Sequence, residues 1–538
     1  MKKFIRKFKY EIIVFTLFVL SRLPSLGHDM FNTDVWKWKA RSYDFGSGVF
    51  GLDFERTLQK YHPGVTLMWI GSAGIKFFNL YYSLVYKTSP RDNSAQTIFQ
   101  LHFVQKFFVV IVIGLSLVFF FYPLKKLFGV RYALLTVAFL SLDPFYIALS
   151  REFHLEGLMS TFMIASVIWL YYYFDDKSKK FRFILSAFFG SLAFLTKTSS
   201  LFLVPFTGLS LFLFGYHNDK NFMRNLRTAF LEFLKWFLMS FAFFFAAWPA
   251  MWAVPIEVFK TLYRGIFVVG VEREHIQYYF GRLVENPGFT YYFVVLALRS
   301  SAYLIIGLVG YFLLARKHLD RSVRRFVLFM VIFSVVYIVE LTIPNKKLDR
   351  YILPSIVGFT LVSAFFYEYI LNKFRKVVFF PMLLFIPAIF TMVLLNPDYF
   401  SYYSPLFGGL KAGIYVIEPK WMIGSREVVE YFKKVQADEG FKKIPQDASM
   451  ESLITTKEIN NVLAVGFPEK YYTQIWPFFK EFGAIAVIKD LTPFAVRTKY
   501  FVYPVWGDDS RLENRFNIHF VGQIQVRGIP VYNVYKRI

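Results

Sequence analysis

Asp34 stands about ten residues beyond the first apolar run, in Phe31-Asn32-Thr33-Asp34-Val35-Trp36, and with an unperturbed pKa near 4 its carboxylate is ionised at neutral pH. Held at a bilayer edge, such a group can take a proton from a hydroxyl nucleophile; loose in a loop, it is only a solvated acid. Two neighbouring features argue for the held state. Trp36 and Trp38 are residue types that anchor at the interface, and Tyr61-His62-Pro63-Gly64 leads the chain back into an apolar segment.

Further clusters interrupt the later apolar runs. Arg151-Glu152-Phe153-His154-Leu155-Glu156 joins the third run to the fourth, with Glu152 and Glu156 four apart and therefore on one helical face. It reads either as a salt-bridged turn or as an acid pair that, with Arg and His, orients hydroxyl groups. His62, His154, His275 and these acids could hold a divalent metal, but no metal-ligand spacing stands out. Leu195-Thr196-Lys197-Thr198 places a lysine where a charge is expensive; snorkelling explains its tolerance, and contact with a phosphate would explain the choice of lysine. Lys346-Lys347-Leu348-Asp349-Arg350-Tyr351 gathers three cations around one acid, a set that attracts lipid headgroups in general or one phosphate in particular. Glu272-Arg273-Glu274-His275 is either a solvated loop or part of the same site.

The elements that must position these residues follow from composition. The chain has 538 residues, 56% of them hydrophobic and 21% aromatic, and a mean hydropathy of +0.42, which is more apolar surface than one soluble core can bury. It is therefore a polytopic α-helical membrane protein. The formal charge of +25 is carried by short basic clusters between apolar runs, which points to an anionic membrane leaflet and not to nucleic acid. With no cysteine, disulfides, thiolate catalysis and Cys-based zinc sites are excluded.

Apolar runs predict spans near 11–24, 101–122, 130–149, 157–174, 183–196, 199–216, 230–250, 291–314, 326–343, 351–371 and 377–395, about eleven crossings at roughly 20 residues each. The first is read as a retained helix, because no small-residue cleavage site follows it. Segment 65–86, rich in Gly and Tyr, is read as lying along or dipping into the interface. With it excluded, the basic segments Lys2 to Lys9, Lys125 to Arg131, Lys177 to Arg182, Lys220 to Arg227, Arg316 to Arg325 and Lys373 to Lys376 all fall on the cytoplasmic side. The N-terminus is then cytoplasmic, and the clusters named above share the outer face.

Residues 1–396 are accordingly read as a transmembrane region whose first outer loop is 25–100, and 397–538 as an extracytoplasmic α/β or α+β domain. In the latter, Gly424 to Lys434 is helix-like, and Ala484 to Ile488, Tyr500 to Tyr503 and Val531 to Tyr535 read as strands.

Together these features resemble the GT-C glycosyltransferases, in the branch of the protein O-mannosyltransferases and aminoarabinose transferases, over roughly residues 5–425. Asn32-Thr33-Asp34-Val35 is similar to the family's first-loop acidic motif but lacks its second acid. His62-Pro63-Gly64 looks like its His-Pro-Pro element, and Arg151 through Glu156 resembles its Arg-x-x-x-Asp element. Thr196-Lys197-Thr198 is similar to its Thr-Lys-Gly, and Lys347-Leu348-Asp349-Arg350-Tyr351 to its Lys-x-Asp-Arg-Tyr. The resemblance implies an integral plasma-membrane enzyme that moves one sugar from a polyprenyl-phosphate carrier to an acceptor hydroxyl outside the cytoplasm, with inversion. It implies Asp34 as general base, Lys197, Lys347 and Arg350 on the carrier phosphate, and His62, Arg151, Glu152, Glu156, His275, Asp349 and Tyr351 in or around the site. No cofactor is called for with certainty. The competing readings are a flippase for lipid-linked glycans, which would place charges near mid-membrane, another carrier-lipid enzyme such as a ligase or oligosaccharyltransferase, and a membrane-anchored scaffold.

Overall fold

The computed structural model describes residues 6–90, 94–216, 221–268, 276–374, 380–444, 461–488, 498–507 and 517–538. The chain is mostly helical, with a five-stranded sheet near its C-terminus. Its helices begin with α1 (Lys9–Leu20), α2 (Val35–Phe50), α3 (Val65–Tyr86) and α4 (Ala95–Phe128). They continue with α5 (Val130–Leu142), α6 (Pro144–Ser150), α7 (Leu155–Asp175), α8 (Lys180–Thr196) and α9 (Phe222–Ala247). After a short hairpin of β1 (Gln277–Tyr279) and β2 (Arg282–Val284) come α10 (Tyr291–Arg299), α11 (Ala302–Gly310), α12 (Arg321–Thr342), α13 (Leu353–Lys373) and α14 (Phe380–Leu395).

Six helices among the described residues are long and apolar enough to cross a membrane, or up to eight when two bent pairs are each taken as one span. The other expected runs also fold as helices but are short for a straight crossing of about 20 residues: α1 has 12 residues, α8 has 17 and α14 has 16. The bends have local causes. Run 130–149, expected as one span, turns by 71° between α5 and α6. There Pro144 brings no N–H, and the Asp143 carboxylate caps the new helix by accepting the Tyr146 N–H at 2.8 Å. Run 291–314 turns by 108° after Ser300 and Ser301, both extended. Helix α3 is a regular helix of 22 residues, and Ser72, Lys76, Asn79 and Ser83 keep it out of the six. It packs on α2, with the Ser72 hydroxyl donating to the Ser42 carbonyl at 2.6 Å, and leaves Phe77, Leu80 and Leu84 exposed.

The body is organised around α7. Every residue from Leu155 to Tyr173 is buried, as expected of a helix apolar all round and enclosed by others. Small residues permit the close approach of α8: the Ser166 hydroxyl donates to the Ser186 carbonyl at 2.8 Å, and Gly190, one turn on, faces the Trp236 ring of α9. This packing brings the C-terminus of α8 beside the N-terminus of α7.

The C-terminal sheet is built from β3 (Ala464–Phe467), α16 (Glu469–Phe482), β4 (Ile485–Ile488), β5 (Tyr500–Pro504), β6 (Ile518–Val526) and β7 (Ile529–Arg537), with α15 (Ser425–Asp438) preceding it. Strand order is β4-β3-β5-β7-β6. β3 is parallel to both β4 and β5, and β7 antiparallel to β5 and β6. The three expected strands fall on β4, β5 and β7 and the expected helix on α15; β3 and β6 have no counterpart in the sequence reading.

A Cβ on Gly190 would lie 2.8 Å from Trp236 Cζ2 and 3.3 Å from Ser166 Oγ. Gly190→Leu is expected to overpack this seam and lower unfolding stability by about 1–3 kcal/mol, read as a fall in the Tm of the detergent-solubilised protein.

Candidate active site

Three separate stretches meet at one carboxylate. Glu156, in the first turn of α7 and 1% exposed, accepts from Lys197 Nζ at 2.9 Å and from Arg350 Nε at 3.2 Å. Its other oxygen contacts His154 Nδ1. Lys197 is delivered by the end of α8, and Arg350 by the turn that starts the Asp349–Lys373 span. His154 is the N-cap position of α7, so His154 and Glu156 come from one short piece of backbone.

Asp34, the N-cap residue of α2, forms the rim of this cluster. Its Oδ2 lies 3.5 Å from His154 Nε2 and 3.9 Å from Arg350 Nη2, and its Oδ1 lies 3.5 Å from the exposed Lys37 ammonium. Its side chain is 31% exposed, against 1% for Glu156, so it is the water-facing acid of the two. Burial raises the Asp34 pKa, but the hydrogen bond and charge of His154, with Arg350 and Lys37, outweigh it and hold the carboxyl well below its usual range. Burial lowers that of His154, yet Glu156 and Asp34 together raise it above its usual value.

Other predicted residues surround this core. His62 is buried, and burial followed by the charge of Lys197 lowers its pKa to about 3, so the imidazole is neutral. Its loop is fastened to the end of α8: the Gly64 N–H donates to the Thr196 carbonyl at 3.1 Å, and the Thr66 and Thr196 hydroxyls are 2.7 Å apart. Gly64 has φ +59° and its would-be Cβ meets Trp38 at 2.2 Å, so a side chain is excluded twice over. Tyr351 lies under Lys197, with the ammonium 3.8 Å from its ring centroid.

Arg151 and Glu152 face a second, fully buried cluster behind the first loop. Lys106 Nζ donates to Glu152 at 2.6 Å and to both oxygens of Asp29 at 2.7 and 2.8 Å, and Arg151 Nε is 3.0 Å from Asp29 Oδ2. Asn32 links this cluster to the site: its amide donates to Glu152 Oε2 at 3.3 Å, and its oxygen accepts the Asp34 N–H at 3.1 Å. Asp349 is also internal. It is held by Arg299 at 2.6 and 3.0 Å, and its free oxygen accepts the Arg350 N–H at 2.8 Å, which fixes Arg350 from behind.

Lys347 is not brought into the Glu156 cluster. Its ammonium donates to Asn286 Oδ1 at 3.0 Å and to the Pro344 carbonyl at 2.6 Å, tying it to the segment that follows β2. His275 lies outside the described residues. Among the described residues, no group of three or more His, Asp or Glu side chains is arranged to hold a metal.

Sequence reasoning missed Asp29, Lys106, Arg299 and Trp421. For Lys106 the signal was present, since a lysine inside a long apolar run must have a buried partner. Trp421 gave none. It is fully buried, lies edge-on to His154 at 5.1 Å, and has the Arg350 guanidinium 5.3 Å from its ring.

Chemically, the arrangement offers two cations aimed at one point and a water-facing carboxylate within 4 Å of one of them. Both cations are engaged by Glu156, and an anion of higher charge could displace them from it.

Glu156→Gln would leave Lys197, Arg350 and His154 without their shared acid, and is expected to cost about 3 kcal/mol of stability. Lys37→Gln, at an exposed pair, should change it by less than about 0.5 kcal/mol. The raised pKa of His154 makes its contribution complete below the unfolded value of about 6.5, and lost as pH rises through the higher folded value. The lowered pKa of Asp34 gives the opposite sign: its contribution is in place above about pH 4 and lost as pH falls through the folded value. In thermal unfolding from pH 6 to 9, the Tm difference between wild type and His154→Gln should therefore shrink as pH rises.

Residues 95–252 match the model of the dolichyl-phosphate-mannose-protein mannosyltransferase family. No curated protein matches the chain. Solved structures similar to it include ArnT of Cupriavidus metallidurans in the apo state, with 12% identity, a TM-score of 0.48 and coverage of 99% of this chain and 98% of that one. The same protein bound to undecaprenyl phosphate gives 13% identity and a TM-score of 0.46, covering 98% and 97%. The oligosaccharyltransferase of Archaeoglobus fulgidus tethered to an acceptor peptide gives 10% identity and a TM-score of 0.45, covering 93% of this chain and 70% of that one. The stretch matched by the mannosyltransferase family model, residues 95–252, contains Lys106, Arg151, Glu152, His154, Glu156 and Lys197 of the two charge clusters.

Proposed function

We propose that the chain is an inverting glycosyltransferase that moves a single sugar from a polyprenyl-phosphate carrier to an acceptor hydroxyl on the extracytoplasmic face, with Asp34 as general base. The observation that carries this reading is the placement of Lys197 and Arg350 on one side of the cluster and Asp34 on its open rim. A single displacement needs the acceptor and the leaving group on opposite sides of the anomeric carbon. The acceptor oxygen bonds to that carbon, the bond to the carrier phosphate breaks with its electron pair passing to the phosphate, and the acceptor proton goes to Asp34.

The charge that grows on the leaving phosphate is stabilised by Lys197 and Arg350, and this accelerates the step to the extent that their hold tightens as the bond breaks. Donor binding also changes Asp34. In the absence of donor its negative charge is stabilised by His154 and Arg350, which makes it a weak base. A phosphate that draws Arg350 to itself removes part of that stabilisation, so the carboxylate gains basicity when the substrate is in place.

A lipid carrier also needs an apolar path to this point. A groove of about 620 Å³ begins at Pro63 and Thr198, the neighbours of His62 and Lys197, and runs between Phe194, Phe241, Phe259 and Phe267. Its wall includes helix Pro255–Phe267, on which Ile256, Phe259 and Tyr263 are exposed. This supports a prenyl tail entering from the bilayer with its phosphate arriving at Lys197. Sidedness is supported by the basic loops at the opposite ends of the helices. The role of base also fits the first-loop position of Asp34, outside the hydrocarbon and open to water.

Undecaprenyl phosphate, the carrier without sugar, should raise the Tm of the purified protein by mass action, and Lys197→Gln and Arg350→Gln should each reduce that rise. Asp34→Asn should keep the rise yet lower transfer of labelled sugar in reconstituted membranes by about 10²–10⁴-fold. Wild-type turnover in Asp34→Asn would refute the role of base, and a Tm indifferent to undecaprenyl phosphate would refute the carrier.

A further inference from the structure

A second groove, of about 470 Å³, opens on the side of the bundle far from the site, between α1, α4, α7 and α8. Lys106 and Lys125 both lie on α4, and the 19 intervening steps set this end about 28 Å from the buried cluster behind the first loop. Its wall is hydrocarbon-like, with Phe15, Leu115, Val118, Phe119 and Leu185. Two polar atoms in that wall have no hydrogen-bond partner: the Trp169 indole Nε1, on a side chain 3% exposed, and Glu11 Oε2. One is a donor and the other an acceptor, and each costs about 1–3 kcal/mol while unsatisfied. Lipid tails cannot satisfy either of them.

Three ammonium groups ring the mouth. Lys125 and Lys126 each lie 5.8 Å from the ring of Tyr122, and Lys7 lies 5.2 Å from that of Phe8, both rings being groove wall. Glu11 takes Lys125 into an ion pair, leaving the other two for a negative group. Trp169 stacks on Tyr122 at 6.1 Å, and Tyr122 precedes the lysines of α4 by three and four residues, so the indole donor lies deeper than the cations. From the mouth inward the groove offers positive charge beside the Glu11 acceptor, then the indole donor, and then an apolar trough. That sequence is complementary to a phosphate with a head-group hydroxyl, a glycerol ester and an acyl chain.

We propose that this groove binds one anionic glycerophospholipid, with its phosphate at Lys7 and Lys126, an ester oxygen accepting from Trp169 Nε1, and a head-group hydroxyl donating to Glu11 Oε2. The site is independent of the proposed catalytic reading, because it lies at the other end of the bundle and shares no residue with it.

The test uses the full-length protein in phosphatidylcholine bilayers. The chain has 10 tryptophans, so fluorescence of wild type minus that of Trp169→Phe isolates the groove. Brominated phosphatidylglycerol should quench the Trp169 component at a mole fraction at least about fivefold below that needed with brominated phosphatidylcholine. Lys7→Gln and Lys126→Gln should each lower that preference by about fivefold, whereas Lys317→Gln, in another basic loop, should leave it in place. Equal quenching by the two lipids would mean annular lipid only and overturns the proposal, as does a preference that survives the double variant K7Q/K126Q. Native mass spectrometry tests the same site without Trp169→Phe: one phosphatidylglycerol retained on wild type and lost from K7Q/K126Q supports the site, and equal retention refutes it.

Discussion

One buried carboxylate organises the upper end of this molecule. Glu156 is nearly inaccessible to water, and an isolated charge there would be prohibitively costly. It is tolerable because Lys197, Arg350 and His154 come to it from the end of α8, the start of α13 and the cap of α7. All three meet at Glu156, so three elements far apart in the chain are bound to one position. The helices decide where the backbone ends lie, and the shared acid decides which way the side chains at those ends point.

The two charge clusters have the same ingredients and different accessibility, which separates their roles. Asp29, Glu152, Lys106 and Arg151 form a set of two acids and two bases with every side chain at 0–1% exposure. Such a set is closed to solvent, and its effect is to fix the first loop through Asn32. In the Glu156 set, Lys197 and Arg350 keep 7% and 9% of their side chains exposed, and Asp34 keeps 31%. A substrate can therefore compete for those cations without unfolding the loop that carries Asp34.

The helical body was legible in the sequence because apolar length is a strong and local signal, and every run proposed as a span folds as a helix, even where it is too short to cross straight. The bends were not foreseen. At Asp143-Pro144 the information was present, since an acid before a proline is a helix-start signature, but uninterrupted hydropathy across 130–149 masked it. Motif order singled out Asp34, Lys197, Glu156 and Arg350, which the structure assembles. It also singled out Lys347, whose ammonium turns instead to Asn286 and Pro344, because Lys347 lies before the 3₁₀ turn that carries Arg350 and nearness in sequence does not fix which way its side chain points. Trp421 could not have been found, as its contact with His154 is created only when the chain after α14 folds back over the site.

That return of the chain bears on how any acceptor reaches Asp34. Trp36, two residues beyond it, donates its indole N–H to the Thr473 carbonyl and packs on Trp476, both in α16. At the other end of the same helix Glu481 pairs with His28, and Phe478 packs on Phe31. The loop bearing Asp34 is therefore clamped between the buried ion cluster on its inner side and α16 on its outer side. With Trp421 closing the space beside His154 and Arg350, part of the wall around Asp34 is made by residues that follow α14. Under the proposed chemistry Lys197 and Arg350 serve the carrier, and this later segment bounds part of the space beside Asp34. Within one arrangement of buried charge, acceptor choice can then vary with the sequence of α16 and the Trp421 loop while the phosphate-binding end stays fixed.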